Sequence, residues 1–108
     1  MTRAGRFDDL DAEEPYPGVR RRTVQGEHAT VAEYTLEPGA SFPLHSHPQE
    51  QVTLVLEGEV ELTADGRAER LAAGAWSVVP GGVPHGVRAG ADGARIVAVV
   101  VPRRDVQP

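Results

Sequence analysis

Proline and glycine punctuate this chain so often that it has little room for long helices: nine Pro and twelve Gly are spread over 108 residues. Between them lie short segments rich in Val, Thr and Leu, and none carries a sustained 3.6-residue period. The expected class is all-β. Candidate strands are 19–24, 29–36, 51–56, 59–63, 68–71, 76–79, 85–88 and 95–101. In Glu59-Val60-Glu61-Leu62 acidic and apolar residues alternate, as in a strand with one face in water and the other on a core. Asp65-Gly66 follows, a dipeptide that tolerates the positive φ angles of a tight turn, so 59–63 is expected to pair antiparallel with 68–71. Such spacing fits a sandwich or a jelly-roll barrel, and composition does not choose between them.

A chain of this length with 40% hydrophobic residues supplies one core and therefore one domain, residues 1–108. Residues 1–15 carry Asp8, Asp9, Asp11, Glu13 and Glu14 with little apolar content, and read as a solvated arm or one ordered by a neighbouring subunit, ahead of a barrel core over about 17–102. Eleven basic against sixteen acidic residues give a net charge of −5, which argues against nucleic acid as a partner. The longest apolar run, Ile96 to Val101, is far short of the roughly 20 residues of a membrane-spanning helix. The opening MTRAGRFDDLD has no apolar stretch of a secretory signal, so the expected compartment is the cytoplasm and no membrane partner is expected. Without cysteine there is no disulfide, thiolate nucleophile or Cys-ligated zinc, which leaves His, carboxylate and amide groups as possible metal ligands.

Three of the four histidines fall in two short segments, PLHSHPQEQ and VPHG. His45 and His47 are two apart, so on a strand their imidazoles share a face, as two ligands of one metal ion would. Taken alone, a His-x-His pair reads more readily as a surface pair than as a metal site. Its surroundings add spacing: five residues separate Gly39 from His45, three separate His47 from Gln51, and six separate Gln51 from Gly58. Farther on, Gly74 is followed after five residues by Pro80, then by Gly82 and, after two more, by His85.

These two segments resemble the paired motifs of the cupin superfamily, with Gln51 in place of the first motif's glutamate and Ala89 where the second often ends in asparagine. The resemblance implies a double-stranded β-helix, the RmlC-like jelly-roll barrel. It also implies one divalent transition metal (Mn, Fe, Ni, Zn, Co or Cu) held by His45, His47, Gln51 and His85. Three neutral imidazoles and a neutral amide leave the metal's charge uncompensated, which favours an anionic exogenous ligand and a lowered pKa for bound water. Glu50 alternates away from the face of Gln51 and reads as a surface residue.

Within the superfamily, PLHSHPQEQVTLVLEGEVELT and VPGGVPHG are most similar to the small pectin-degradation cupins, which linearise unsaturated uronates. Arg103 and Asp105 match that group's tail, whereas Val97 and Val99 stand where its last strand has an Asp and a Phe. The implied function is a mononuclear metal-dependent enzyme acting on a small oxygen-rich anion, as an isomerase, cyclase or lyase working through a metal-stabilised enolate. Tyr34, Arg103 or bound water would move a proton, and turnover of uronates is expected to be weak or absent. A metal-dependent dioxygenase and a non-catalytic ligand-binding sensor are the rival readings.

The remaining residues have plainer expectations. Arg20, Arg21 and Arg22 read as a solvated run guarding a strand edge, and His28 as surface. Trp76 reads as core packing, and Tyr34, which alternates with Ala32 and Leu36, as facing the barrel interior. Val52, Leu54 and Leu56 alternate with Gln51, Thr53 and Val55, so an apolar outer face is left over and a homodimer is expected to cover it.

Overall fold

The computed structural model describes residues 2–104, so Asp105 lies outside the described residues. Eight strands make up most of it: β1 (Glu13–Tyr16), β2 (Val19–Gln25), β3 (Thr30–Leu36), β4 (Ser41–His45), β5 (Glu50–Ala64), β6 (Arg67–Ala72), β7 (Trp76–Val79) and β8 (His85–Val101). The spine is the antiparallel ribbon of the two long strands, β5 and β8. Along one half of it β8 also pairs with β3 and β5 with β7; along the other half β8 pairs with β4 and β5 with β6. Two sheets continuous through one bent ribbon make the expected all-β jelly-roll barrel.

The bend is the main departure from the expected strand list, which divides each long strand in two. Register shifts between Val55 and Glu57 and between Gly58 and Val60 break the ladder without ending the strands. Gly58 has φ +70° there, and a Cβ on it would lie 2.1 Å from the carbonyl oxygen of Gly93. Only glycine lets the two backbones cross this closely. At the hairpin, Asp65 and Gly66 have φ 54° and 71°, and Val60 pairs with Leu71 and Thr63 with Ala68, the expected register.

Inside, Val19, Leu36, Val55, Val60, Leu62, Leu71 and Ile96 pack as one aliphatic core. Burying each such side chain contributes about 1.5–3 kcal/mol. Leu54 and Leu56 stand 40% and 41% exposed on the outer face, following the expected alternation.

Four expectations need correction. Residues 13–15 belong to strand β1 rather than to the arm, because Glu13 and Tyr16 pair with Arg21 and Val19, and the Tyr16 ring packs edge-on against Phe42. Strand β4, absent from the expected list, runs beside β8 with its register broken between Phe42 and His45. Trp76 is 67% exposed rather than in the core, since alternation on β7 turns Val79 inward and Trp76 outward beside its register partner Leu54. Arg21 is 2% exposed, not solvated, because β2 is an interior strand and Arg21 pairs with the inward-facing Tyr34. No helix among the described residues is long and apolar enough to cross a membrane.

Candidate metal centre

Three separate pieces of backbone bring the histidines together. His45, at the end of β4, is the register partner of His85, at the start of β8, so their rings share a face with centroids 4.5 Å apart. His47 lies in the loop after β4, its ring 5.8 Å from His45 and 5.0 Å from His85. That loop is clamped by the turn before β8: the Gly82 N–H donates to the His47 carbonyl at 2.8 Å. A Cβ on Gly81 would lie 2.1 Å from the Pro48 carbonyl oxygen, so the turn fits the loop only with glycine there. One ligating atom from each histidine can be chosen so that all three lie within 4.8 Å of one another.

Hydrogen bonds set which nitrogen each ring presents. The Nδ1 atoms of His45, His47 and His85 lie 2.9, 3.1 and 2.9 Å from the carbonyl oxygens of Pro43, Gln49 and Val83. A carbonyl only accepts, so each Nδ1 carries the proton and each Nε2 is left as a lone pair. His85 Nε2 is buried and has no hydrogen-bond partner. His47 Nε2 faces Gln51 Oε1 at 3.1 Å, two acceptors directed at each other, while Gln51 Nε2 donates to Thr53 Oγ1 at 3.1 Å. An orphaned imidazole nitrogen and two opposed acceptors are what a cation would satisfy, so these residues fit a metal ion. Burial holds the imidazoles of His47 and His85 below the ordinary histidine pKa, keeping them neutral and able to ligate near pH 7.

Beside the histidines is a narrow cavity of about 40 Å³, lined by His45, Gln51 and His85, by Thr30, Tyr34 and Arg104, and by apolar side chains that include Ile96, Ala98 and Val100. No carboxylate lines it among the described residues. Burial pushes the Tyr34 phenol above its ordinary pKa, with Arg21 pulling the other way, so at neutral pH it is a proton donor. Arg21 offers Nη2 to Glu13 Oε1 at 3.4 Å and leaves Nε and Nη1 without hydrogen-bond partners.

The structure places Arg103 on the outside, its guanidinium donating to the Gly26 carbonyl at 3.2 Å, and it is the neighbouring Arg104 that lines the cavity. Val97 and Val99 do not line the cavity; Ile96, Ala98 and Val100 do, so the last strand sits one residue out of the expected register. Its chemistry is unchanged, because every β8 side chain between 96 and 100 is aliphatic. Glu50 is exposed and the His28 side chain is 86% exposed, as expected. Sequence reasoning missed Gly81, Arg21 and Arg104; the GG pair beside a motif proline was the signal for the first.

The cupin domain family model (Cupin_2) matches residues 32–102, which include His45, His47, Gln51 and His85. This chain belongs to the cupin family. The cupin is 39% identical over 61 residues to quercetin 2,3-dioxygenase of Bacillus subtilis, a match that covers 56% of this chain and only 18% of that enzyme. Among solved structures it superposes on an RmlC-like cupin from Shewanella frigidimarina with TM-score 0.88 at 24% identity, covering 97% of this chain and 95% of the other. KdgF from Halomonas sp. is similar at TM-score 0.84 and 26% identity, covering 91% and 93%.

Proposed function

We propose that this cupin binds one divalent transition metal through His45, His47, His85 and the Gln51 amide oxygen, and uses it on a small oxygen-rich anion. The observation that carries this reading is the cluster of one ring nitrogen from each of His45, His47 and His85 within 4.8 Å of one another, with Gln51 Oε1 3.1 Å from His47 Nε2 and His85 Nε2 otherwise unpartnered. A divalent ion held there supplies Lewis acidity toward a carbonyl or carboxylate oxygen. The neutral donor set of three imidazoles and one amide leaves the charge of a bound divalent ion uncompensated and so favours a negatively charged ligand. Tyr34, which lines the cavity, would give its proton to negative charge that develops there, beside the apolar wall of Ile96, Ala98 and Val100. Isomerisation, cyclisation or elimination fit this arrangement. Unsaturated uronates should bind without efficient turnover, because residues 96–100 of β8 offer no proton-transferring side chain to the cavity.

Dioxygen chemistry is the second reading, favoured by the likeness to quercetin 2,3-dioxygenase. A panel of small keto, hydroxy and unsaturated acids, assayed with metal-loaded protein under air and under nitrogen, separates the two. Turnover that persists under nitrogen supports the non-redox reading; turnover that consumes oxygen and stops under nitrogen overturns it.

The outer face completes the proposal. Val52, Leu54, Trp76, Val78, Val97 and Val99 lie together across β7, β5 and β8 by register, and this apolar face is assigned to a second copy of the chain. Light scattering is expected to give twice the 11.5 kDa chain mass, and a monomer at micromolar concentration would reject the dimer.

A further inference from the structure

An amide side chain has two unlike ends, and only one of them can ligate a metal. With His47 Nδ1 committed to the Gln49 carbonyl, His47 Nε2 is an acceptor, and in the absence of metal it would be best satisfied by the NH2 end of Gln51. That orientation would fill the site with an internal hydrogen bond. The structure instead has Oε1 toward His47 and Nε2 donating to Thr53 Oγ1. Thr53 alone does not explain this choice, because a hydroxyl can as easily donate to the amide oxygen as accept from the amide nitrogen. Its own proton has to be committed elsewhere.

Ser77 is the hydroxyl across the strand pair that would take that proton. It is the register partner of Thr53 across β5 and β7, so the two side chains share a face, and Ser77 Oγ is buried without a hydrogen-bond partner. The two hydroxyls are not hydrogen-bonded to each other in this structure. Cross-strand partners hold their Cβ atoms about 5 Å apart, so rotation of Ser77 alone about χ1 would bring its Oγ within reach of Thr53 and leave the bond from Gln51 intact. Thr53 is itself only 3% exposed, so water does not compete for its proton.

We propose that Ser77 and Thr53 form a hydroxyl relay that holds the Gln51 amide with its oxygen, not its nitrogen, toward the metal centre. Thr53 donates to Ser77 and is thereby left as an acceptor for Gln51 Nε2. The relay rests on the metal-centre reading above. Both residues are positioning residues: neither is among the proposed metal ligands. A carboxylate has two like ends, so a glutamate at position 51 would not need the relay.

Calorimetric titration of metal-stripped protein with Mn²⁺ tests this in a double-mutant cycle. Ser77→Ala and Thr53→Val should each weaken Mn²⁺ binding about tenfold when residue 51 is Gln, within the range known for outer-shell changes. In the Gln51→Glu background the same changes should cost less than about threefold, and Thr53→Ser should keep wild-type affinity within the same margin. Unchanged affinity in Ser77→Ala, or equal losses in both backgrounds, overturns the relay and leaves the metal centre standing. Failure of the wild-type protein to bind Mn²⁺ or any other divalent transition metal overturns the metal centre itself. Should Thr53→Val not fold, Ser77→Ala decides alone, since it removes one unpartnered hydroxyl from a half-buried position.

Discussion

The aliphatic core and the histidine cavity are built on the same two long strands and follow opposite rules. In the core, Val19, Val55, Val60 and Leu36 are at most 2% exposed and bring no polar side-chain atom with them. At the cavity, His85 Nε2 is buried without a partner, and two acceptors face each other at His47 and Gln51. Unsatisfied buried groups of this kind cost about 1–3 kcal/mol each. The core lowers the free energy of the fold, and the histidine site retains polar atoms, His85 Nε2 foremost, that a metal ion would satisfy. The difference implies that changes in one region should alter stability without altering the site, and changes in the other should do the reverse.

Gly58→Ala should be the most damaging change on the core side. It forces a Cβ to within 2.1 Å of the Gly93 carbonyl oxygen at φ +70°, and should cost about 3 kcal/mol or more of unfolding free energy in a urea titration. Metal stoichiometry of the folded fraction should stay unchanged. On the cavity side, Tyr34→Phe should lower turnover about a hundredfold on any substrate found by the panel. Its metal content should not move. Val60→Ala removes two methyl groups from a 1% exposed position and should cost about 2 kcal/mol of stability, with turnover unaffected.

The smallest effect is one of pH. Burial lowers the folded-state pKa of His47 and His85 from 6.5, so the unfolded chain takes up protons first as pH falls. Their contribution to stability is therefore present above about pH 6.5 and is lost progressively as pH falls below it toward the folded-state values. Thermal melts of metal-free protein should show this loss between pH 7 and pH 5, and His85→Ala should reduce it. A melting temperature that rises over that interval would contradict the sign.

The core was legible in the sequence wherever a turn or an alternation pinned it. Asp65-Gly66 set the β5–β6 register, and the four motif glycines, Gly39, Gly58, Gly74 and Gly82, all have positive φ. The histidine trio was legible for the same reason, since its spacing is tied to those turns. What failed was parity. In a strand a one-residue slip turns every side chain to the other face, and the run IVAVVV carries no polar residue to reveal it, so Ala98 and Val100 rather than Val97 and Val99 face the cavity. Arg20-Arg21-Arg22 poses the same difficulty: three like residues do not say which one points inward. Adjacent arginines hid Arg104 behind Arg103 in the same way.

Elemental analysis tests the metal centre most directly. Metal-stripped protein is reloaded with Mn²⁺, Fe²⁺, Co²⁺, Ni²⁺, Cu²⁺ or Zn²⁺ and desalted, alongside His47→Ala and His85→Ala variants whose fold is checked by circular dichroism. The wild-type chain should retain about one ion of at least one of these metals, as expected for a site with four ligands, and both variants should retain almost none. A stoichiometric ion in both variants, or none in the wild-type protein with any of these metals, would contradict the assignment of His45, His47, Gln51 and His85 as a metal centre.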